Sequence, residues 1–268
     1  MGTTLDVFAV APAYESYIGR WSRPVAREFV RWLGVPPASR WLDVGSGTGA
    51  LTDVVVELGG AGAVMGVDPS PGFVRHARGR SFGTAEVQFL EGDAQALPVG
   101  SGDFDAVVSG LVLNFVADRA RMVSEMARAA RPRGTVALYV WDVSGGGMEL
   151  ILRFWEAVME VDPGSSLVAE ADRFRDVCAP EPLRALFTGA GLGAVETRAI
   201  DVPTVFRDFE DYWTPFLGGQ GPAPAYLASI PEERRNAIRE RLRARLPNAA
   251  DGSIRMSARA WAVRGTKS

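Results

Sequence analysis

The segment LDVGSGTG at residues 42–49 places three glycines at alternate positions directly after a short apolar run. Glycine permits positive φ angles and brings backbone N–H groups close to a ligand, so the pattern predicts a ligand-binding turn. The dinucleotide fingerprint G-x-G-x-x-G needs its third glycine one residue later than Gly49. Asp43 precedes the first glycine by two positions and is an unfavourable neighbour for a phosphate. These residues favour a ligand with an ammonium-bearing amino-acid tail, although a merely tight turn stays the alternative.

Two further carboxylates end predicted strands. Asp68 ends the strand predicted at 63–68, where an acidic residue can accept hydrogen bonds from both hydroxyls of a ribose. A helix-capping role before Pro69 is the alternative for this residue. Asp93 follows the strand predicted at 87–90. Its side chain can accept from an exocyclic amine while the Ala94 N–H reaches a ring nitrogen, which would suit an adenine.

The elements that would position these residues alternate between strand and helix. Apolar runs predict strands at 41–44, 63–68, 87–90, 104–109 and 135–141, with helices between them. This alternation predicts a parallel sheet that is covered on both faces. The carboxyl ends of such strands meet at one crevice, which is the expected ligand site of a doubly wound sheet.

Beyond residue 142 the pattern is less regular. Further helices are predicted at 148–159, 180–191, 209–217 and 231–246, a Gly/Pro loop at 218–224, and strands at 195–206 and 254–264. The strand at 195–206 contains Pro203 and is therefore expected near a sheet edge. Four aromatic residues are candidates for an apolar wall of a substrate pocket, namely Trp155, Tyr212, Trp213 and Phe216. Their alternative interpretation is a place in the hydrophobic core.

Composition excludes several classes of function. The chain has 268 residues, of which 47% are hydrophobic and 23% charged, as is usual for a globular protein. Its formal net charge of −3 argues against a nucleic-acid partner. The chain has one cysteine, Cys178, so no internal disulfide is predicted, and one histidine, His76, so no histidine cluster for a metal is predicted. No apolar run approaches 18 residues and no signal peptide is recognised, so no membrane span and a cytoplasmic location are expected.

The chain resembles the class I S-adenosylmethionine-dependent methyltransferases, in particular the group that includes the ubiquinone and menaquinone biosynthesis C-methyltransferases. The segments that carry the resemblance are LDVGSGTGALT at 42–52, VMGVDPSPGFVRHAR at 64–78, FLEGDAQALPVGSGDFDAVVSGLVLNFV at 89–116 and ARAARPRGTVAL at 127–138. It implies an α/β fold with a doubly wound, seven-stranded, mostly parallel sheet of Rossmann-like order 3-2-1-4-5-7-6. The seventh strand, at 254–264, would be antiparallel.

The length of the chain predicts one large domain, or one domain with a substantial insertion, and we assign a single methyltransferase domain to 1–268. Its cofactor-binding core would be 14–142, and substrate-side helices and lid elements would lie over the active site at 143–250.

The implied cofactor is S-adenosylmethionine, with S-adenosylhomocysteine as product. Asp43, Gly45 and Gly47 would surround the methionine moiety, and Ser109 or its backbone would face the methionine amino group. Asp68 would bind the ribose. The full set of predicted cofactor contacts is Asp43, Gly45, Ser46, Gly47, Asp68, Pro69, Phe73, Asp93, Ala94, Ser109, Gly110 and Arg20. Phe73 stands where a methionine is common in the family, yet either side chain can pack on adenine.

Methyl transfer from an activated sulfonium is an in-line displacement, to which correct positioning can contribute about 7–11 kcal/mol. The sequence therefore predicts a methyltransferase that acts on a small-molecule acceptor mainly by positioning. The candidate catalytic groups are Tyr14, Tyr17 and Asn114, the last standing where many relatives have histidine. His76 is expected on the surface.

Two other functions stay open at this point. One is a protein that binds S-adenosylmethionine without transferring methyl. The other is an NAD-dependent oxidoreductase, which the early third glycine and Asp43 disfavour. The kind of methylation (O-, N- or C-) and the oligomeric state are likewise open.

Overall fold

The computed structural model of the chain describes residues 17, 19–83, 85–143, 145–164, 178–218 and 221–268. Its strands are β1 Arg40–Val44, β2 Ala63–Asp68, β3 Glu86–Glu91, β4 Phe104–Gly110, β5 Ala130–Trp141, β6 Leu192–Phe206 and β7 Ile254–Lys267. Its α-helices are α1 Arg20–Leu33, α2 Ala50–Gly59, α3 Pro71–Arg78, α4 Arg119–Ala129, α5 Glu149–Val161, α6 Pro180–Gly189, α7 Phe209–Trp213, α8 Pro222–Ser229 and α9 Glu232–Arg245. Short 3₁₀ helices lie at Leu113–Phe115 and Thr214–Gly218.

The seven strands form one sheet in the order β3-β2-β1-β4-β5-β7-β6. Every pairing from β3 across to β5 is parallel, and β7 is antiparallel. The predicted fold class and strand order are therefore confirmed. The prediction that Pro203 marks an edge strand is confirmed as well, because β6 ends the sheet. Proline has no N–H to donate to a neighbouring strand and is tolerated at such an edge.

Side chains at the helix starts explain several boundaries. The Ser70 hydroxyl accepts from the Phe73 N–H at 3.4 Å and caps α3, while the Asp118 carboxylate accepts from the Arg121 N–H at 2.9 Å and caps α4. Such caps satisfy backbone donors that lack a partner in the first turn of a helix.

Helix α1 begins at Arg20 and contains Pro24. One boundary differs from the prediction. The loop predicted at 218–224 is wrong at its end, because α8 begins there at Pro222. Proline is favourable in the first turn of a helix, where its missing N–H would have no partner.

The chain divides into two compact units. The first unit comprises Met1–Trp21, Trp141–Asp176 and Asp201–Arg259, and the second comprises Ser22–Val140, Val177–Ile200 and Ala260–Ser268. The second unit includes most of the predicted cofactor-binding core at 14–142. The description of the whole chain as a single domain stays a prediction.

The core of the second unit is built on strands that are buried on both faces. Leu42 in β1 and Val107 in β4 are fully buried, as parallel strands between two helical layers should be. On α4, Met122 and Met126 recur at helical spacing and are also fully buried. None of the helices in the described ranges has the length and apolar character that a bilayer-spanning segment needs.

Candidate functional site

The glycine turn lies between β1 and α2. The Gly45 and Ser46 N–H groups both donate to the Val67 carbonyl, at 2.7 Å and 3.1 Å, which ties the turn to the carboxyl end of β2. Gly45, Gly47 and Gly49 have φ angles of 74°, 53° and 86°, a region in which other residues are strained. These angles therefore favour glycine at each of the three positions.

Close packing adds a second constraint at the start of the turn. A Cβ atom on Gly45 would overlap the side chain of Val112, which follows β4. At Gly47, by contrast, a Cβ atom would have no neighbour within 4 Å. The turn is thus packed against the protein at its first glycine and faces open space at its second.

Asp43 is buried beneath this turn, with 1% of its surface exposed. One carboxylate oxygen, Oδ2, accepts from the Thr52 hydroxyl at 2.7 Å, while Oδ1 has no hydrogen-bond partner among the described residues. Burial raises the pKa of Asp43 to about 7; the Thr52 hydrogen bond opposes this and the charge of Asp68 adds to it. The Ser46 hydroxyl oxygen is also buried and without a partner. A buried unpaired polar atom costs about 1–3 kcal/mol, so these two oxygens suit a ligand that donates hydrogen bonds.

Asp68 lies at the carboxyl end of β2 and is mostly buried. Its Oδ2 accepts from the Gly47 N–H at 2.9 Å and its Oδ1 accepts from the Ser70 N–H at 2.8 Å. Burial raises its pKa, whereas the two N–H donors lower it. Each oxygen keeps a further lone pair, so the carboxylate can still accept two hydroxyl groups. Asp68 thereby connects the glycine turn to the start of α3. Pro69 separates Asp68 from Ser70 in the sequence.

Asp93 is exposed just beyond the carboxyl end of β3, and its Oδ1 accepts from the Gln95 N–H at 2.8 Å. Ala94 next to it is buried. The side chain of Asp93 can therefore reach a ligand in solution, as the adenine assignment requires. Phe73, in the first turn of α3, is partly exposed and could offer a ring face.

Ser109 and Gly110 end β4 beside the turn. The Ser109 hydroxyl donates to the Val44 carbonyl at 2.6 Å, so it joins β4 to β1 and can only accept from a ligand. A Cβ atom on Gly110 would lie 2.5 Å from the Tyr139 hydroxyl oxygen, which explains the glycine at this position. Both residues thus have structural contacts of their own, and their contact with a cofactor stays a prediction.

The remaining predicted groups are more scattered. Arg20, in the first unit, forms an ion pair with Asp211 at 3.1 Å, and its guanidinium lies 4.6 Å from the ring centres of both Trp21 and Phe206. Its role towards the cofactor stays a prediction. Tyr14 lies outside the described residues.

Tyr17 is buried in the first unit, and burial raises the pKa of its hydroxyl. Asn114 lies half-buried in the 3₁₀ helix Leu113–Phe115 of the second unit. His76 is exposed on α3, as its predicted surface position requires. In the described part of the chain, no three His, Cys, Asp or Glu side chains are grouped as a metal ion would need.

The four aromatic residues predicted to line a substrate pocket are all buried in the first unit. Phe216 stacks on Phe154 at 4.7 Å between ring centres and contacts Tyr212 at 5.3 Å. The Tyr212 hydroxyl donates to the Leu150 carbonyl at 2.9 Å, and Trp155 contacts Tyr226. Trp213 packs on Phe209 and Phe216. These contacts are those of a hydrophobic core, and the pocket assignment stays a prediction.

Residues 42–138 match the family model described as "Methyltransferase domain". The matched range contains the glycine turn, Asp43, Asp68, Asp93 and the end of β4. The chain contains a class I S-adenosylmethionine-dependent methyltransferase domain.

The sequence relatives of this chain include a protein named as a methyltransferase and an uncharacterised protein. A demethylmenaquinone methyltransferase of Roseiflexus castenholzii is 41% identical over 109 residues, covering 39% of this chain and 44% of that protein. An uncharacterised protein of Mycobacterium bovis is 25% identical over 210 residues, covering 77% of this chain and 73% of its own length.

Solved structures share the fold. A chain in the complex of the Haloferax volcanii Trm112 methyltransferase activator with a methyltransferase is 19% identical, with a TM-score of 0.59 and coverage of 100% of this chain and 99% of that one. The Haemonchus contortus phosphoethanolamine N-methyltransferase 2, solved with phosphomonomethylethanolamine and S-adenosylhomocysteine, is 17% identical with a TM-score of 0.58. It covers 99% of this chain and 57% of that one.

Three residues of the methyltransferase domain were missed by the sequence analysis. Thr52 donates to Asp43, Val112 packs where a side chain at Gly45 would lie, and Arg80 donates to the Thr48 carbonyl at 2.6 Å. Thr52 and Val112 fall inside the segments that carry the family resemblance, so a signal for them existed. No spacing or motif in the sequence singles out Arg80.

Proposed function

We propose that the methyltransferase domain binds S-adenosylmethionine at the glycine turn and transfers its methyl group to a small-molecule acceptor by in-line displacement. The observation that supports this best is the pair of buried, unpartnered oxygens, Asp43 Oδ1 and Ser46 Oγ. An ammonium group is a strong hydrogen-bond donor with a positive charge, so it would donate to an unpartnered oxygen and stabilise the ionised form of the Asp43 carboxyl. A pyrophosphate would meet the buried carboxyl instead of a donor.

The chain's own residues would hold the cofactor at separate points. Asp43, Gly45, Ser46 and Gly47 would bind the amino-acid end, and the open space above Gly47 leaves room for it. Asp68 would accept from the ribose hydroxyls through its remaining lone pairs. The adenine would lie near the exposed carboxylate of Asp93, the buried Ala94 and the ring of Phe73. Ser109, Gly110 and Pro69 complete the proposed set in the second unit, and the contact predicted for Arg20 of the first unit stays a prediction.

Positioning would be the main source of rate enhancement. The chemistry that S-adenosylmethionine supplies when bound is an already activated methyl group, and aligned reactants lower the barrier without a side-chain base. The side chains support this view. Burial raises the pKa of the Tyr17 hydroxyl, which makes its deprotonation less favourable than that of an ordinary tyrosine, and His76 is exposed on α3 away from the carboxyl ends of the strands.

A small molecule is the proposed acceptor. The formal net charge of −3 provides no basic surplus for a nucleic acid. The demethylmenaquinone methyltransferase that resembles this domain is named for a quinone-type acceptor, which supports the same class of substrate. A screen with radiolabelled S-adenosylmethionine would compare naphthoquinols, amines and carboxylates with protein and RNA. Label transferred only to protein or RNA would refute the small-molecule assignment.

Cofactor binding is tested first by thermal shift with S-adenosylmethionine, S-adenosylhomocysteine and NAD. A ligand at 100 times its dissociation constant stabilises a folded protein by about 2.7 kcal/mol, which raises the melting temperature measurably. We expect shifts with the first two compounds and none with NAD. A shift with NAD alone would instead favour an oxidoreductase.

The residue assignment is tested with Asp68→Ala, which should abolish the shift with S-adenosylhomocysteine. Asp105→Ala is a matched control, because Asp105 also accepts a backbone N–H, from Arg40 at 2.7 Å, but lies near the amino end of β4. The control should retain the full shift. Unchanged binding by Asp68→Ala would remove Asp68 from the site.

A further inference from the structure

Arg80 contacts the glycine turn from the side of α3. It follows the end of that helix, and its Nη1 donates to the Thr48 carbonyl at 2.6 Å. Its Nη2 forms an ion pair with Asp53. Thr48 stands between the second and third glycines of the turn, so one guanidinium group binds both the turn and the helix that follows it.

Asp53, the ion-pair partner of Arg80, is itself held in place at the start of α2. It lies in the first turn of α2, where the helix dipole favours a negative charge, and its backbone N–H donates to the Gly49 carbonyl at 3.0 Å. A second arginine, Arg23 of α1, binds the same carboxylate at 2.8 Å. Among the described residues, Arg23 makes no hydrogen bond to the turn itself. Asp53 therefore has two cationic partners, of which Arg80 is the one that also reaches the glycines.

The segment that carries Arg80 also packs on the turn. A Cβ atom on Gly49 would lie 3.1 Å from the Phe82 ring and 3.2 Å from Arg80 Nη1. The Arg80 guanidinium lies 5.0 Å from the Phe82 ring centre, and Phe82 contacts Phe89 of β3 at 5.4 Å. The turn is thus held on its outer side by a segment that is itself anchored to the sheet.

A turn with three glycines has a high conformational entropy when nothing restrains it, and ordering it on ligand binding lowers affinity. A contact that holds its carbonyl in place before the ligand arrives removes part of that cost. We propose that Arg80 is a positioning residue that holds the glycine turn in its cofactor-binding conformation. This inference rests on the proposed function, because it assumes that the turn binds the cofactor.

The test compares Arg80→Ala, Arg80→Lys and Arg23→Ala by isothermal titration with S-adenosylhomocysteine, together with the melting temperature of each variant without ligand. Arg80→Ala should raise the dissociation constant about tenfold, the size expected for one lost charge-assisted hydrogen bond. Arg80→Lys should fall between wild type and Arg80→Ala, because a single ammonium cannot bind Thr48 and Asp53 in the forked manner of a guanidinium. Arg23→Ala removes an ion pair from the same carboxylate but should leave the dissociation constant within about twofold of wild type.

If the role of Arg80 is purely structural, Arg80→Ala will have a lower melting temperature but will bind S-adenosylhomocysteine with the same affinity as Arg23→Ala. Equal dissociation constants for Arg80→Ala and Arg23→Ala would overturn the inference. If Arg80→Ala does not fold, Arg80→Lys decides, and affinity equal to that of wild type would overturn it. Absence of binding by the wild type would instead refute the proposed function.

Discussion

Replacing Asp43 with asparagine tests how the buried carboxyl beneath the glycine turn responds to pH. Burial raises the pKa of Asp43 from 3.8 to about 7. Between these two values the folded protein holds a proton that the unfolded chain has already released, so rising pH favours unfolding. One pKa unit corresponds to 1.36 kcal/mol, and the full rise therefore amounts to about 4 kcal/mol. This contribution of Asp43 is favourable to folding only while the carboxyl is protonated.

The assay is urea unfolding of the cofactor-free protein at pH 5, 6, 7 and 8. Between pH 5 and pH 8 the free energy of unfolding of the wild type should fall by about 3 kcal/mol relative to Asp43→Asn, with most of the change below pH 7. Asp105→Asn is the control. The pKa of Asp105 is lowered, first by the N–H of Arg40, so this carboxylate is ionised in both states above pH 5. The free energy of unfolding of Asp105→Asn should change with pH in parallel with that of the wild type.

Cofactor should remove this pH dependence. An ammonium group close to Asp43 Oδ1 would stabilise the carboxylate and lower its pKa, so binding at pH 6 should release about one proton. Titration calorimetry in two buffers of different ionisation enthalpy measures that release, and Asp43→Asn should lose it. If the free energies of unfolding of the wild type and Asp43→Asn change in parallel from pH 5 to 8, Asp43 does not titrate in this range and its raised pKa is refuted.

Three further substitutions have expected outcomes. Gly45→Ala should abolish the thermal shift with S-adenosylhomocysteine, because the new methyl group overlaps Val112 and the φ of 74° is strained for alanine; a full shift would contradict this. Phe216→Ala should lower the free energy of unfolding by about 3–5 kcal/mol, measured in urea, because the ring is fully buried and stacks on Phe154. A loss under about 1 kcal/mol would mean that the neighbouring side chains fill the cavity left by the Phe216 ring. His76→Ala should leave methyl-transfer turnover nearly unchanged in a radiolabel assay, since the side chain is exposed, and a loss beyond about tenfold would give it a catalytic role.

The parts of the fold that follow local rules could be predicted from the sequence. The strand predicted at 63–68 depends on apolar residues within a few positions of one another, and it is confirmed. The strand order followed from the family resemblance and not from these local patterns. The loop predicted at 218–224 is wrong at its end, because proline is common both in loops and in the first turn of a helix, and Pro222 begins α8.

For the candidate site, the sequence predicts only which edge of the sheet its residues reach, because that depends on the direction of the strands. Asp43 lies next to the last residue of β1 and Asp68 is the last residue of β2, and because these strands are parallel both carboxyls come to the same edge of the sheet. The hydrogen bonds that determine the chemistry of these carboxyls could not be predicted in this way. The hydrogen bond from Thr52 and the unpartnered Oδ1 of Asp43 depend on the exact path of the turn, which spacing does not encode. The contact of Arg80 depends on where the segment after α3 ends in space.

The second unit is assembled from three separate stretches of the chain, the last of which is Ala260–Ser268. Lys267 in that stretch donates to the Ala130 carbonyl at 2.9 Å and to the Arg128 carbonyl at 3.2 Å. During synthesis, residues 22–140 therefore leave the ribosome long before the strand that completes their sheet. Until β7 arrives, the edge of β5 is unpaired and open to other chains. We expect the refolding of this unit to be limited by the docking of its final strand.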